Sequence, residues 1–383
     1  MKLDKITKDK KLQLEKDNYY KYVDIFQTVI DYIRRQKNVL LYGGTAINEY
    51  MPPDLKIYGP YVLPDIDVFS LTPNKLADEV VVHLSKKGYT SSTYYGRALH
   101  QGTYTVYTSG LKVLDVSYAS PEIMRSIRYG GTKGTLGIKC VSPLFIQFTL
   151  HRMLAGISVD RWEKVQHRLN AFYKVFPPRT AVIRKPDVTD TMDVNLDIHY
   201  YTEGTANTVL LGTPIVNFML HGGTHAHLDK HLGIPYNIVI VQGSCDAYAR
   251  AMVNTIRDQC RVSEVYPGNE TITQPRHVVV SHKNKPVAII FEDSIGACLN
   301  YNEYKGLRVG TIHTVLAVYL GMLLNPVLHF TKLKPELAAV INELVDVFLH
   351  TNSRLKILRP LSLTCQGEEA GIATLRRNKR DDK

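Results

Sequence analysis

Apolar and polar positions follow a helical period at the start of the chain and then give way to short runs typical of strands. Residues 1–36 carry two helical patterns, and the second places apolar residues at helical spacing over Val23–Ile33. The run Val39–Tyr42 is short and rich in strand-forming residues, which predicts a buried strand. The pattern breaks at Gly43–Thr45 and then predicts a short helix over Ala46–Met51, which two prolines end.

The next segments predict a mixed or antiparallel sheet. An amphipathic helix is expected over Asn74–Lys87, and the alternation of Tyr, Thr and small residues over Thr90–Val106 predicts a β-hairpin. Ser109-Gly110 predicts a second tight turn into a further strand. Helices are expected over Leu144–Leu154 and Val159–Phe176, the latter as core rather than as a surface that stacks bases.

Three aspartates lie on two of these strand patterns. Asp65 and Asp67 alternate with apolar residues, so both carboxylates lie on one face of a strand, about 7 Å apart. Asp115 stands in the strand pattern Lys112–Ser117. Such carboxylates repel each other unless a cation lies between them, and Mg²⁺ prefers hard oxygen ligands. We therefore expect the three aspartates to share a divalent-metal site that could hold two ions.

The glycine turn at Gly43, Gly44 and Thr45 predicts a phosphate site. A strand that enters a helix through a glycine turn leaves backbone N–H groups free at the positive end of the helix dipole. A Gly-Gly by itself is usually only a turn, so the signal lies in the ordered set of turn and aspartates.

The second half of the chain repeats the first weakly. Asn237–Ser244 lines up with Asn38–Thr45, Lys285–Phe291 with the Asp115 strand, and Leu307–Leu323 with Ile138–Leu154. No Asp-x-Asp follows Gly243, and Ala288, Ile289 or Ile290 stands where Asp115 would be. We expect either a second domain of the same fold without a metal site, or an unrelated α/β domain.

Composition sets the class of partner. Lys and Arg (47) exceed Asp and Glu (36) by 11, which favours binding to a polyanion. The length of 383 residues allows two or three domains, and 44% hydrophobic residues is ordinary for a globular protein. We expect no secretory signal in the Lys-rich N-terminus and no membrane span, since the longest apolar run is interrupted at Asn325-Pro326.

Cysteine and histidine patterns give no metal site. The five cysteines have no CxxC spacing and are expected to be reduced thiols: Cys140, Cys245, Cys260, Cys298 and Cys365. The segment HGGTHAHLDKH, from His221 to His231, lacks a regular face on which its histidines could converge, so we expect a loop, at a dimer or RNA surface, rather than a zinc site.

The ordered motifs Gly43-Gly44-Thr45, Asp65-x-Asp67 and Asp115 resemble the polymerase-β-like nucleotidyltransferase superfamily. Within it, YGGTAINEY and LPDIDVFS are most similar to the poly(A) polymerase catalytic subunits of large cytoplasmic DNA viruses, the poxvirus and giant-virus group. The resemblance is sharp over roughly residues 38–155 and faint beyond.

The resemblance implies an α/β (α+β) fold: a nucleotidyltransferase domain with a mixed sheet and flanking helices, followed by a degenerate nucleotidyltransferase-like domain. We expect an N-terminal helical arm over 1–36, a catalytic domain over 37–176, a linker over 177–208, and the degenerate domain with a basic tail over 209–383.

The implied reaction is template-independent addition of AMP from ATP to RNA 3′ ends. Asp65 and Asp67 would bind two Mg²⁺ or Mn²⁺ ions, Asp115 would bind the ion that activates the primer hydroxyl, and Gly43–Thr45 would hold the β- and γ-phosphates. The segment Tyr129–Lys139 would cover the nucleotide or the RNA end, with Lys133 or Lys139 near phosphate; a flexible loop with solvated lysines is an equal alternative.

Two other functions use the same residues. A nucleotidyltransferase acting on tRNA, a protein or a small molecule would need the same three aspartates, and a non-catalytic RNA-binding subunit could retain them as a fossil site. The expected partners are the RNA 3′ end and ATP, with either a second copy of the chain or a processivity subunit, and no membrane. The expected location is the host cytoplasm, in the viral factory, with packaging in the virion left open.

Overall fold

A computed structural model describes residues 2–98, 102–177, 192–221, 234, 237–256, 260–266, 275–293, 298–325, 328–350 and 359–367. The chain forms two compact units, residues 1–146 with 371–383 and residues 147–370. The predicted boundaries of arm, catalytic domain and linker stay predictions. Within the predicted linker, residues 192–203 form a helix.

Unit 1 is built on a five-stranded sheet. Its strands are β1 (Val39–Tyr42), β2 (Ile66–Ser70), β3 (Tyr94–Arg97), β4 (Thr103–Thr108) and β5 (Leu111–Tyr118), in the order β1-β2-β5-β4-β3. The central pair, β2 and β5, is parallel, and the other neighbours are antiparallel. The helices are α1 (Lys2–Arg34), α2 (Gly43–Tyr50), α3 (Pro73–Lys86), α4 (Pro121–Arg128) and α5 (Pro143–Leu154), which contains the unit boundary; Pro53–Leu55 is a 3₁₀ turn.

The apolar face of this sheet packs against α3. The helix begins at Pro73, whose fixed φ suits a first turn, and it buries apolar residues at helical spacing: Leu76, Ala77, Val80 and Leu84. The strand residues on the same face are fully buried: Val68, Val106, Leu114 and Val116. Burial of each such side chain is worth about 1.5–3 kcal/mol, so this layer fixes the register of the central strands.

Unit 2 contains the longer sheet. Its strands are β6 (Thr208–Leu210), β7 (Asn237–Val241), β8 (Cys260–Tyr266), β9 (His277–His282), β10 (Lys285–Glu292), β11 (Leu299–Tyr304), β12 (Leu307–Gly310) and β13 (Cys365–Gln366), in the order β13-β11-β12-β6-β7-β10-β9-β8. The helices are α6 (Val159–Val175), α7 (Met192–Glu203), α8 (Thr213–His221), α9 (Cys245–Ile256), α10 (Ile312–Leu324) and α11 (Leu328–His350).

Unit 2 repeats the topology of unit 1. The order β6-β7-β10-β9-β8 matches β1-β2-β5-β4-β3, with β7 parallel to β10 and antiparallel pairing elsewhere. A helix follows the first strand in each unit, and another follows the second. The predicted second domain of the same fold is confirmed.

One part of the predicted alignment is wrong. Asn237–Ser244 was expected to match Asn38–Thr45, yet β7 occupies the position of β2, and β6 is the counterpart of β1. β1 and β7 are both short apolar runs followed by a helix, so the sequence pattern matched β7 to β1 rather than to β2. Two other matches are confirmed. Lys285–Phe291 matches the Asp115 strand, because β10 pairs in its sheet as β5 does. Leu307–Leu323 matches Ile138–Leu154, because β12 lies parallel to β6 as residues 139–141 lie beside β1.

Several local predictions are confirmed and others need correction. The hairpin β3–β4, the turn at Ser109-Gly110, helix α3 and the apolar face of α6 form as expected. Residues 2–34 form one helix rather than two helical stretches. Helix α11 begins at Leu328, with Pro335 inside it, and not at Pro335 as predicted. In the described part of the chain, no helix has the length and apolar character needed to cross a membrane.

The prediction that all five cysteines are reduced is wrong. Cys298 and Cys365 form a disulfide, because β11 pairs with β13 and brings them together across 67 residues of sequence. Sequence spacing gives no sign of such a pairing. Cys140, Cys245 and Cys260 are buried and lie outside this disulfide.

Candidate active site

The three predicted aspartates lie at one face of the unit 1 sheet. Asp67 on β2 and Asp115 on β5 are direct neighbours across parallel strands, and Asp65 lies at the entry to β2. The prediction that they come from two neighbouring strands is confirmed. The Thr105 hydroxyl donates a hydrogen bond to Oδ1 of Asp115 over 2.6 Å, which orients that carboxylate.

Lys112 joins two of these carboxylates. Its Nζ lies 2.8 Å from Oδ2 of Asp65 and 2.9 Å from Oδ2 of Asp115. Burial lowers the pKa of Lys112, but hydrogen bonds and negative charge from Asp115 and Asp65 outweigh it, so the pKa is raised. The ammonium is therefore a permanent cation between the two acids.

A β-bulge makes this contact possible. In a regular strand, residues 112 and 115 point to opposite faces. Here β4 pairs Val106 with Leu114 and Tyr107 with Lys112, which leaves Val113 as an extra residue in β5. The bulge returns Lys112 to the face that carries Asp115.

The glycine turn lies directly against the aspartates. Tyr42, the last residue of β1, is level with Asp67, and α2 begins at Gly43 without the predicted break before Ala46. Gly43 has φ +70°, and a Cβ at this position would collide with the Asp67 carboxylate. The Thr45 hydroxyl donates to the backbone oxygen of Asp65 over 2.7 Å, which ties the turn to the entry of β2. The glycine turn and the aspartates therefore lie side by side, as predicted.

The sheet face is packed on one side of the aspartates. The Tyr42 hydroxyl and the Ser117 hydroxyl lie 2.8 Å apart, and Ser117 also contacts Thr103 over 2.8 Å. The Tyr42 ring stacks on Phe69 at 4.0 Å between centroids. Burial, followed by the charge of Asp67, raises the pKa of Tyr42, so its hydroxyl keeps its proton. These side chains fill the sheet face on this side of the aspartates.

The predicted covering segment is fastened to α2. The Glu49 carboxylate accepts from the Thr135 hydroxyl over 2.8 Å and from the Leu136 backbone N–H over 2.7 Å. A Cβ at Gly134 would meet the Glu49 side chain, so the close approach requires glycine. The Lys139 backbone oxygen accepts from Leu41 over 2.8 Å, which places Lys139 beside β1. Phosphate contact by Lys139 or Lys133 stays a prediction.

The corresponding positions of unit 2 carry no acid. The row Tyr42, Asp67 and Asp115 across β1, β2 and β5 matches the row Leu210, Val239 and Ile290 across β6, β7 and β10. Val239 and Ile290 are buried. The second domain therefore lacks the acidic residues, as predicted, and Val239 and Ile290 occupy the corresponding strand positions. The histidine segment after His221 lies outside the described residues.

The side chains at this site are of the type that binds a divalent cation. The donors are carboxylate oxygens, and Lys112 already holds a positive charge between two of them. Within the described residues, no group of three or more His, Cys, Asp or Glu side chains is arranged to hold a metal ion. An ion bound between Asp65 and Asp115 would have to replace the ammonium of Lys112, which lies there.

Sequence reasoning missed three residues of the site: Lys112, Thr105 and Glu49. Lys112 was hidden by the bulge, and no local signal marks an extra residue in β5. The hairpin prediction contained Thr105 but gave no register against Asp115. Glu49 follows the glycine turn on the same short helix, and no sequence signal pairs it with Thr135 and Leu136, which lie 86 and 87 residues away.

Comparison with known proteins agrees with this geometry. Residues 27–157 match the family model described as "Poly(A) polymerase catalytic subunit", about a third of the chain. No curated protein sequence matches the chain. In structure, the chain is similar to the Megavirus polyadenylate synthase, with a TM-score of 0.77 and 21% sequence identity, over 100% of this chain and 82% of that one.

These similarities confirm the predicted resemblance over the segment that carries the glycine turn and the aspartates, and they confirm the predicted α/β fold. The family match supports poly(A) polymerase activity, and the structural likeness shows the fold.

Proposed function

We propose that this chain is the catalytic subunit of a poly(A) polymerase, which transfers AMP from ATP to the 3′ end of RNA. The observation that carries the proposal is the pair Asp67 and Asp115, side by side on parallel strands, with the glycine turn of α2 against one carboxylate. The match of residues 27–157 to the catalytic-subunit family supports the choice of reaction.

The aspartates would hold two Mg²⁺ or Mn²⁺ ions, which when bound activate the primer 3′ hydroxyl and neutralise the triphosphate and leaving group. Asp65 and Asp67 would contribute to both ions, and Asp115 to the ion near the hydroxyl. Thr105 fixes one oxygen of Asp115 and leaves the other directed toward the cation position now held by Lys112.

The glycine turn would hold the β- and γ-phosphates. Gly43 has no side chain, so the start of α2 approaches the Asp67 carboxylate without a Cβ between them, and the backbone N–H groups of this helix start would bind the phosphates. Thr45 keeps the turn at a fixed distance from Asp65. The phosphates and the aspartates would then both contact the bound ions. The protein's contribution is to position the reactants and to stabilise charge in the transition state.

A primer-extension assay tests the proposal. The purified chain is incubated with Mg²⁺, an oligo(A) primer and each of the four NTPs in turn. A ladder of products with ATP supports polymerisation, whereas a single addition or none would favour a transferase with another acceptor. Asp67→Asn and Asp115→Asn should lower kcat by roughly 10²–10³-fold or more, by the cost of removing one electrostatic contact to the transition state.

The matched control is Asp78→Asn, because Asp78 is exposed on α3. This variant should extend the primer at the wild-type rate. Equal rates in Asp67→Asn, Asp115→Asn and wild type would reject the catalytic role of the aspartates.

Two other points stay predictions: whether the working enzyme pairs with itself or with a processivity subunit, and its location in the host cytoplasm.

A further inference from the structure

The acidic face of the unit 1 sheet continues past the aspartates to a pair of tyrosines, of which Tyr94 is exposed and Tyr107 is half-buried. Tyr94 on β3 and Tyr107 on β4 are cross-strand partners, and their rings stack at 5.2 Å between centroids with an angle of 20°. Tyr94 is 54% exposed although it is a large aromatic residue in a strand. Tyr94 therefore presents an aromatic ring to solvent, and Tyr107 holds that ring in place.

Three contacts place this pair on the same face as the acids. Thr105 and Tyr107 are two residues apart on β4 and so point to one face, and Thr105 hydrogen-bonds Asp115. Tyr107 is the partner of Lys112, whose Nζ reaches Asp65 and Asp115. The order on this face is therefore aspartates, then Lys112, then the tyrosine pair.

Among the described residues, the acidic face is open at Gly96, on the edge strand next to Thr105. Gly96 is the partner of Thr105 and continues the row that contains Asp67 and Asp115 to the edge of the sheet. A Cβ on Gly96 would meet nothing within 4 Å. On the other side of the aspartates the face is closed by Tyr42, Phe69 and Ser117. A long ligand bound at the aspartates would therefore extend past Lys112 toward Tyr107 and Tyr94.

We propose that Tyr94 and Tyr107 form a stacking platform for bases near the 3′ end of single-stranded RNA. The inference rests on the proposed function. The phosphates of the incoming nucleotide are assigned to the glycine turn beside β1 and β2, whereas the tyrosines lie on β3 and β4, at the opposite edge of the sheet. With strands about 4.8 Å apart, Tyr94 is two strands from Asp115, about 10 Å across the sheet.

The chemistry of the platform fits an unpaired nucleic acid strand. Every base has a π-face, so aromatic stacking binds single strands with little sequence preference, as a primer that grows by one repeated nucleotide requires. The chain carries a formal net charge of +11, which favours the phosphates of such a strand. The platform would hold the growing end after each addition while the 3′ hydroxyl returns to Asp115.

The test compares two tyrosines of the same strand. Tyr94→Leu removes a ring from the acidic face, and Tyr95→Leu, the matched control, removes the neighbouring ring, which lies on the opposite face beside Tyr104 and is 36% exposed. Binding of a fluorescent oligo(A) is measured by anisotropy in EDTA, and KM values for primer and for ATP are measured with Mg²⁺.

For Tyr94→Leu we expect the primer Kd and the primer KM to rise by roughly 5- to 150-fold, the value of one stacked base, with the KM for ATP unchanged. Tyr94→Phe should retain wild-type binding because stacking needs the ring and not the hydroxyl. Tyr95→Leu should behave as wild type.

Equal primer binding by Tyr94→Leu and Tyr95→Leu would overturn the platform, and so would a rise in the KM for ATP in place of the primer, since the ring would then stack on the nucleotide. Absence of primer extension by the wild-type chain would instead refute the proposed function. The anisotropy measurement needs no catalysis, so the two failures can be told apart.

Discussion

Replacement of Lys112 by methionine should make the aspartates bind a divalent cation more tightly. In the structure the ammonium occupies the position between Asp65 and Asp115, at 2.8 and 2.9 Å, and a metal ion must displace it. Methionine retains most of the apolar stem but removes the charge. The remaining carboxylates repel each other, which lowers stability without metal and increases the gain when metal binds.

The magnitude follows from the exposure of the two ion pairs. The Asp65 side chain is 50% exposed, so its pair with Lys112 is worth a few tenths of a kcal/mol; Asp115 is 17% exposed, and its pair lies near or above the upper end of about 1 kcal/mol for surface pairs. Together they give about 1–2 kcal/mol. Mn²⁺ affinity should therefore rise roughly 5- to 30-fold in Lys112→Met.

The assay is a titration of the nucleotide-free chain with Mn²⁺, followed by electron paramagnetic resonance of the free ion, together with urea unfolding in EDTA. Lys75→Met is the control, because Lys75 forms a 3.9 Å pair with Glu79 and is 73% exposed. The variant Lys112→Met should lose about 1–2 kcal/mol of unfolding free energy in EDTA and regain it with Mn²⁺. Unchanged Mn²⁺ affinity in Lys112→Met would refute the assignment of this position to a metal.

Three other perturbations have defined outcomes. Gly43→Ala should lower the rate of primer extension by at least about 10²-fold, because the added Cβ collides with Asp67. It should also lower the unfolding free energy by about 1–2 kcal/mol, because alanine is strained in the left-handed backbone conformation of Gly43. Burial lowers the pKa of His313 to about 3, so stability should fall as pH drops from about 6.5 toward 3, by about 2 kcal/mol between pH 6.5 and 5; urea unfolding at each pH checks this. Cys365→Ser should lower the unfolding free energy by up to about 4 kcal/mol, since the disulfide closes 67 residues of chain, as measured by urea unfolding with and without reductant.

Each of these has a control. Gly88→Ala imposes the same backbone strain at φ +93° with nothing within 4 Å, so it should lose stability but keep activity. His313→Gln should flatten the acid side of the stability curve; the lowered pKa of the neighbouring His151, caused by burial and then by His313, should return toward normal. A curve of unchanged shape would contradict the role of His313. Equal stability of oxidised wild type and Cys365→Ser would contradict the disulfide's contribution.

The acids could be predicted from sequence because their physics is local. Asp65 and Asp67 alternate with buried residues on one strand, and only one face of that strand can be polar. The glycine turn next to them follows from the same short-range rules. The sequence therefore predicted that the turn and the aspartates meet, although it placed the start of α2 at Ala46, whereas the helix begins at Gly43.

What the sequence could not give depends on pairing between distant segments. The contact of Lys112 with Asp115 exists because one residue, Val113, is extra relative to β4, and an insertion of this kind has no signature in a single strand. The Cys298–Cys365 bond depends on β13 reaching β11. The misaligned start of the repeat has the same origin, since β6 and β7 differ in sheet position and not in pattern.

The most direct measurement of the central claim is a crystal structure of the wild-type chain with Mn²⁺ and a non-hydrolysable ATP analogue, with manganese located by anomalous scattering. We expect manganese to be bound by Asp65, Asp67 and Asp115, the Lys112 ammonium to be displaced, and the β- and γ-phosphates to lie at Gly43–Thr45. Manganese bound elsewhere, or Lys112 still joining Asp65 to Asp115 beside a bound nucleotide, would contradict it.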